Sequence, residues 1–477
     1  MKKIPNILSF LRNPYFYIFF LAFFIITPTL RWSYSLDDID NFYLISQIKG
    51  MGDFFGYLLL PGDGHFIPLF RLFYFICFKI SWLNPLLSHL FVTLAFFLSG
   101  LILMKIIEQL TGSKTAGIFA GAFVLLSTGY TRCLEIAFSH FTLSLPIILF
   151  SLYSLINYQQ TKKPCWHFSV MACIFIAPLF SAMGILTGPW VILFTFLCLE
   201  RKNWKKILIS PFIVWVLSVV IFLVEIKAAS TIADPLVRAS NAILLTGKAI
   251  WIYTLPNLTS YKDLSWFLVV FFFLMLFVQR KKINFKILSF FIFWIIGNYL
   301  FIYFGRGKWG MRLIFSPRYA FYASLGIASI ICLVIGSIAQ DKEWIYFFKN
   351  KKKILIPIFS LLIIVHAFYQ HQIILQQTKE KNSLLAIGTQ MESALTNYLQ
   401  KTKEKKVFLE DKETRIQMLF PVDRRMSYYA SFLLRDEFKK EIVWKKDKTE
   451  QNFIQHVKMN QLQYPNFFEL LKDAKYF

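Results

Sequence analysis

Residues 85–107 read PLLSHLFVTLAFFLSGLILMKII, and Lys105 is the only charged residue in this run. At about 1.5 Å per residue, a helix of this length crosses the roughly 30 Å hydrocarbon core of a bilayer. Similar runs recur along the chain, separated by short polar stretches. We predict about eleven membrane-spanning helices of this kind. They cover residues 15–30, 85–107, 115–130, 141–156, 166–180, 183–199, 207–226, 264–278, 287–304, 319–339 and 354–369.

The composition favours an all-α polytopic membrane protein over a soluble one. Of the 477 residues, 56% are hydrophobic and 18% are aromatic, whereas soluble domains carry fewer apolar and more charged residues. A net charge of +25 would indicate a nucleic-acid partner in a soluble protein. Here the lysines and arginines form short clusters between apolar runs, as cytoplasmic loops of membrane proteins do. We therefore predict contact with membrane lipids and no nucleic-acid partner.

One further apolar stretch, residues 65–80, decides the orientation of the helices after it. If this stretch lies on the outer membrane surface, all the main basic clusters fall on the cytoplasmic side. It also carries Arg71 and Lys79 on roughly one side of a helix, which suits a helix lying in the membrane interface. We predict such a surface helix; an ordinary span with two charges is the alternative.

The C-terminal part of the chain differs from the rest. We assign residues 1–371 to the membrane module, with a first outer loop over residues 31–84. From residue 372 to 477 the long apolar runs stop, and charged residues become frequent. Residues 376–406 favour a helix and residues 406–409 a short strand. The tail therefore predicts a small soluble α/β domain on the outer side.

Acidic residues gather just after the first predicted span, where residues 31–64 contain one lysine, Lys49. A carboxylate there can act as a general base toward an acceptor hydroxyl or amine, if burial tunes its pKa toward the working pH. The alternative is a solvated turn with a helix cap, because Asp is a favoured N-cap residue. The aspartates of this loop are Asp37, Asp38, Asp40, Asp53 and Asp63.

Asp38-Ile-Asp40 also matches the DxD pattern with which nucleotide-sugar enzymes hold a divalent metal against a diphosphate. In a helix, residues two apart point about 200° away from each other, so this pair would not chelate one ion. The sequence therefore predicts no particular cofactor, and it leaves open whether the protein binds a divalent metal.

Residues 305–319, GRGKWGMRLIFSPRY, form a second polar segment. Arg306, Lys308, Arg312 and Arg318 lie there on the side of the membrane that should be poor in positive charge. Arginines at a membrane surface bind phosphate oxygens bidentately, and nearby glycines let the backbone approach an anionic ligand. The alternative is contact with anionic lipid headgroups or snorkelling at helix ends.

Several function classes lose support. The histidines show no metalloprotease spacing, and the sequence contains neither a GxSxG motif nor a Walker loop. No charge is clearly placed in the middle of a predicted span, as an ion-coupled transporter would require.

Five short motifs follow one another along the membrane module, each at one place in the sequence. They are Asp37-Asp38 after the first span, His65-Phe-Ile-Pro68-Leu69, Leu83-Asn84-Pro85 before the second span, an alanine-rich run from Lys114 followed by Arg132 and Glu135, and Ser316-Pro-Arg318-Tyr319. Together they resemble the GT-C superfamily of membrane glycosyltransferases, particularly its protein O-mannosyltransferase and lipid A aminoarabinose transferase branch. The chain departs from the family's Pro-Pro motif, because Ile67 precedes Pro68.

The resemblance implies a GT-C-like fold with juxtamembrane helices on the outer surface. It implies inverting transfer of a sugar from a polyprenyl-phosphate donor to a glycan, lipid or protein acceptor at the outer face of a bacterial cytoplasmic membrane. Asp37 or Asp38 would be the general base. Rival functions are an O-antigen polymerase or ligase and a polytopic lipid or glycan transporter. The other candidate residues are Arg306, Lys308, Arg312, Arg318 and His65 for the donor phosphate, and Asp40, Asp63, Arg132, Glu135 and Tyr319 for acceptor contacts or structure.

Overall fold

The computed structural model describes residues 14–31, 48–60, 66–81, 86–126, 139–198, 204–226, 284–306, 317–340 and 370–378, together with some single positions between them. These residues are almost entirely helical, and no strand occurs among them. The helices are α1 Pro14–Ile26, α2 Met51–Leu59, α3 Pro68–Ser81, α4 Leu86–Thr111, α5 Lys114–Leu125, α6 Ser139–Thr161, α7 Pro164–Phe180, α8 Thr187–Cys198, α9 Trp204–Ile226, α10 Phe285–Arg306 and α11 Pro317–Gln340.

Three helical segments in the described part of the chain are long and apolar enough to cross a membrane, namely Leu86–Thr111, Ser139–Thr161 and Phe285–Ile302. Shorter apolar helices overlap several further predicted spans. The chain therefore has the character of a helical membrane protein. The count of about eleven spans stays a prediction. The predicted spans 264–278 and 354–369 lie almost wholly outside the described residues, and so do the tail helix, except its first residues, and the tail strand.

The stretch predicted as a surface helix forms α3. This helix has 14 residues, about 21 Å at the usual rise, which is short for a 30 Å hydrocarbon core. Tyr74 and Phe78 are buried, whereas Lys79 and Ile80 are exposed. Such two-sided character suits a surface helix, although its position relative to the membrane stays a prediction.

Helices α4 and α5 are antiparallel and very closely packed. A two-residue turn joins them, in which Ser113 caps α5 by accepting a hydrogen bond from the Ala116 amide at 3.2 Å. Gly100 lies against Leu125, and Gly117 lies against the carbonyl oxygen of Met104. Small residues permit this backbone approach, as is common between membrane helices.

Helices α10 and α11 are also antiparallel. The Trp294 indole N–H donates to the carbonyl oxygen of Tyr322 at 2.7 Å. One turn further along α11, Gly326 faces Phe291 and Ile295 of α10. The direction of the pair follows from the short connection between the helices: α10 ends at Arg306 and α11 begins at Pro317, and a connection of this length joins antiparallel neighbours.

Helices α4, α5, α6, α7, α10 and α11 form a bundle in which α4 to α7, and likewise α10 and α11, alternate in direction, so their termini gather at two opposite ends. The lysine end contains Thr111, Lys114, Thr161, Pro164 and Gln340, and the Gln340 side-chain amide donates there to the carbonyl oxygen of Thr111. The opposite end, named the Phe66 end after the residue packed on it, contains Leu125, Ser139, Phe180, Arg306 and Pro317.

The chain divides into two compact units. The first contains the bundle and consists of Met1–Leu30, Leu59–Phe70 and Ser88–Ile374. The second consists of Arg31–Leu58, Arg71–Leu87 and Leu375–Phe477. Its described part is mainly a helical hairpin made of α2 and α3, in which the rings of Phe54 and Phe75 lie 4.7 Å apart.

Gly117→Ala should destabilise the protein by about 1–3 kcal/mol, the usual range for overpacking. The new Cβ would lie 2.6 Å from the backbone oxygen of Met104, so one helix must shift. Thermal unfolding in detergent measures the change. Gly52→Ala is the matched control, because nothing lies within 4 Å of its Cβ position. Equal unfolding temperatures for the two variants would contradict the close contact of α4 and α5.

Candidate functional site at the Phe66 end

Phe66 directly follows His65 in the predicted His-Phe-Ile-Pro-Leu motif, and its side chain is buried. It forms one apolar cluster with Ile185 of the turn between α7 and α8. Side chains of α7, α9, α10 and the same turn complete the cluster, namely Leu179, Val219, Phe301 and Ala182. The motif is therefore anchored on the end of the bundle by its aromatic residue.

The turn beneath Phe66 is fixed by close backbone packing. A Cβ on Gly184 would lie 2.1 Å from the carbonyl carbon of Ala177, so only glycine fits here. The Ser181 hydroxyl accepts a hydrogen bond from the Met183 amide at 3.4 Å. The Trp215 indole of α9 donates to the carbonyl oxygen of Ile185 at 3.0 Å. These contacts fix the turn against which the Phe66 side chain packs.

The start of α3 contacts the start of α6. The ring of Phe70 lies 5.2 Å from the ring of His140 in an edge-to-face arrangement. Both residues of this pair lie in the first turn of their helix. Together with Phe66, this contact holds residues 66–70 at the Phe66 end.

The arginine-bearing segment begins and finishes at the same end. Arg306 is the last residue of α10, and Arg318 and Tyr319 lie in the first turn of α11. Only the backbone of these three residues is described. Because α10 and α11 are antiparallel neighbours, Arg306 and Arg318 lie at one level of the bundle.

A buried polar contact fixes α11 against α6. The Tyr322 hydroxyl donates to the carbonyl oxygen of Phe141 at 2.9 Å and lies 2.6 Å from the Ser144 hydroxyl. Tyr322 is four residues after Arg318, on the same face of α11. This contact therefore sets the rotation of α11 at the turn that carries Arg318. Sequence reasoning missed Tyr322; its spacing from Arg318 was the available signal.

Most of the predicted site residues lie outside the described residues. The helices that flank Arg132 and Glu135 in sequence, α5 and α6, have their nearer ends at the Phe66 end. No cluster of three metal-binding side chains occurs among the residues that the structure describes, and the aspartates of the DxD pattern are not among them. The residues outside the description are Asp37, Asp38, Asp40, Asp63, His65, Arg132, Glu135, Lys308 and Arg312.

Asp53 is the described aspartate of the acidic loop, and it acts as a helix cap. Its Oδ2 accepts hydrogen bonds from the amides of Lys49 at 2.9 Å and Gly50 at 3.1 Å, just before α2. A carboxylate at this position also interacts favourably with the helix dipole. For Asp53, the capping alternative is the one observed.

The first charged residue of the predicted surface helix, Arg71, is buried. Its guanidinium lies over the ring of Tyr57, 5.2 Å from the centroid. The Tyr57 hydroxyl donates to the carbonyl oxygen of Arg71 at 3.3 Å. Burial raises the pKa of Tyr57 well above its usual value, although the Arg71 charge opposes this shift. Arg71 thus joins α2 to α3, and Lys79 is the exposed charge of this helix.

Comparison with protein-family models and with curated proteins finds no match to this chain.

Tyr322→Phe should destabilise the protein more than Ser144→Ala. The first change removes both contacts that join α11 to α6. The second leaves the bond from the phenol to Phe141 in place, and the other contact that it removes, from Ser144 to the carbonyl oxygen of Phe141, lies within α6. Each buried hydrogen bond contributes about 0.5–1.5 kcal/mol, so thermal unfolding in detergent can distinguish the stability losses of the two variants. Tyr17→Phe, at a side chain 53% exposed, should have no effect. A larger loss for Ser144→Ala would contradict the assigned contacts.

Proposed function

We propose that the protein is a GT-C-type membrane glycosyltransferase that uses a polyprenyl-phosphate-linked sugar as donor. The observation that carries the proposal is the packing of Phe66, next to His65, on the bundle end where α10 ends at Arg306 and α11 begins beside Arg318. Two motifs that are far apart in sequence thereby belong to one end of one bundle. A shared end is what a shared donor site requires.

The proposed reaction is a single inverting displacement. Asp37 or Asp38 takes the proton from the acceptor hydroxyl or amine as that atom attacks the anomeric carbon. The bond between the anomeric carbon and the phosphate oxygen breaks, and the electron pair leaves with the lipid phosphate. The acceptor is a glycan, lipid or protein of the cell envelope.

Charge develops on the leaving phosphate, and fixed cations stabilise it best when they are already in place. Arg306, Lys308, Arg312 and Arg318, with His65, supply this charge in the proposal. Rigid attachment of the helix ends supports such a role, because Tyr322 and Trp294 hold α11 one turn from Arg318. Asp40, Asp63, Arg132, Glu135 and Tyr319 would contact the acceptor or support the loop.

The exposed lysines at the opposite end of the bundle support an outer location for the Phe66 end. Lys114, the adjacent Lys162 and Lys163, and Lys286 come from three parts of the chain and are exposed at the lysine end. Basic residues favour the cytoplasmic side, so the Phe66 end faces outward in the proposal. About eleven spans, a bacterial cytoplasmic membrane and an outer α/β tail over residues 372–477 complete it.

Asp37→Asn or Asp38→Asn should abolish sugar transfer, because an amide cannot accept the acceptor proton. General bases contribute about 10²–10⁴-fold, so the active aspartate should lose activity on that scale. The assay uses the protein in vesicles with a polyprenyl-phosphate sugar and follows release of the lipid phosphate.

Asp53→Asn is the matched control, since Asn keeps a side-chain oxygen that can accept from the amides of Lys49 and Gly50 at the start of α2. It should keep nearly full activity. Full activity in both Asp37→Asn and Asp38→Asn would exclude the base assignment. Loss in all three variants would indicate damage to the loop instead.

Arg318→Ala should lower kcat/KM for the lipid-linked donor by roughly tenfold or more, as expected for one charge-assisted hydrogen bond of about 1.5–3 kcal/mol. Lys163→Ala, at the lysine end, should leave the donor kcat/KM unchanged. Donor titration at saturating acceptor measures both. An unchanged donor kcat/KM in Arg318→Ala would remove this arginine from the phosphate site.

A further inference from the structure

Helices α6 and α11 run side by side in the same direction. Both begin at the Phe66 end, α6 at Ser139 and α11 at Pro317. Five residues after these starting points, the Tyr322 hydroxyl of α11 lies 2.6 Å from the Ser144 hydroxyl of α6. The face of α6 that carries Ser144 therefore meets the face of α11 that carries Tyr322. This contact fixes the register of the two helices.

His140 and Arg318 occupy equivalent positions in this register. His140 precedes Ser144 by four residues, and Arg318 precedes Tyr322 by four residues. Residues four apart share one face of a helix, so His140 and Arg318 lie on the two faces that meet, one turn nearer the Phe66 end. The axes of packed helices are about 8–10 Å apart. Long polar side chains at these two positions can therefore contact the same small ligand.

The His140 ring is held between two aromatic rings. The Phe70 ring lies 5.2 Å from it in an edge-to-face arrangement, and the Phe141 ring lies 4.0 Å from it. Phe70 is four residues after Phe66, whose side chain packs on the end of the bundle. His140 thus lies where residues 66–70 meet the start of α6, and its orientation is set by packing.

Packing alone does not require an imidazole at position 140. A phenylalanine would make the same ring contacts without placing nitrogen atoms in an apolar environment, which costs free energy. His140 is partly exposed, whereas its Nδ1 atom is buried. Any exposed nitrogen of the ring is therefore Nε2. An imidazole N–H whose orientation is already fixed is an effective donor to an oxyanion.

We propose that His140 donates a hydrogen bond from Nε2 to a phosphate oxygen of the lipid-linked donor. The inference rests on the proposed function and adds a residue to its donor site, opposite Arg318. When the bond between the anomeric carbon and the phosphate oxygen breaks, the electron pair stays on that oxygen and the phosphate gains negative charge. The hydrogen bond from His140 strengthens as this charge develops. His140 is then a catalytic residue in addition to an aromatic contact.

Two substitutions of His140 separate donor binding from packing. His140→Gln loses the ring but keeps a nitrogen donor near the end of the side chain. His140→Phe keeps a ring against Phe70 but has no donor. Donor binding predicts the higher activity for the glutamine variant, whereas packing alone predicts the higher activity for the phenylalanine variant.

The first measurement is kcat/KM for the lipid-linked sugar with the full-length protein in vesicles. We expect His140→Phe to lower it by about tenfold or more, as for one charge-assisted hydrogen bond, and His140→Gln to lower it by less. Equal losses in the two variants, or a smaller loss in His140→Phe, would overturn the proposal.

Binding of the lipid product gives a readout that does not depend on turnover. Undecaprenyl phosphate is titrated into the detergent-solubilised full-length protein, and binding is followed by microscale thermophoresis. His140→Phe should raise the Kd by about tenfold or more. His167→Phe is the matched control and should leave the Kd unchanged, because His167 is also partly exposed in the first turn of a helix but lies at the lysine end.

The binding result distinguishes this inference from the proposed function. If the wild-type protein binds undecaprenyl phosphate and His140→Phe binds it equally well, the inference is wrong and the proposed function stands. If the wild-type protein does not bind it, both are wrong. Thermal unfolding shows whether each variant is folded. Weaker binding that accompanies a lower unfolding temperature in both His140 variants would indicate a packing role and overturn the inference.

Discussion

The contact between α10 and α11 sets the geometry on which the candidate site depends. Trp294 donates to the carbonyl oxygen of Tyr322, and Gly326 allows the next turn of α11 to approach α10. A rotation of α11 by one residue would turn Arg318 by about 100° and separate Tyr322 from Ser144. Because the register is fixed in this way, Arg306 and Arg318 occupy one end of the bundle.

Apolar packing of Phe66 and Phe70 attaches residues 66–70 to that end. Phe66 is held by Ile185 and its neighbours, and the turn that carries Ile185 is shaped by Gly184. A polar anchor would compete with the ligands of a charged site, whereas an aromatic side chain in an apolar recess does not. This division leaves the charged groups of the neighbouring segments available for chemistry.

The membrane helices were predictable because long apolar runs have few other stable structures in lipid. Their ends were less predictable. We predicted that the second span ends at residue 107, where the apolar run ends, but the helix α4 continues to Thr111 through the polar residues that follow, among which Glu108 pairs with Lys105 at 2.8 Å. Helix α2 was missed because Gly52 and Gly56 lower helix propensity. The contact of Phe66 with Ile185 depends on tertiary packing, so no local pattern reveals it. The spacing of Tyr322 from Arg318 indicates a shared helix face but not the contacts of Tyr322 with α6. The roles of Asp37 and Arg318 stay predictions.

The shortness of α5 has a consequence for the surrounding lipid. Leu126 closes this helix, whose 12 residues extend only about 18 Å. A helix shorter than the hydrocarbon core is accommodated by local thinning of the bilayer, at a cost of fractions of a kcal/mol per Å of mismatch. If α5 crosses the membrane, as the sequence predicts, thinning beside it would favour partition of the protein into thin membrane regions.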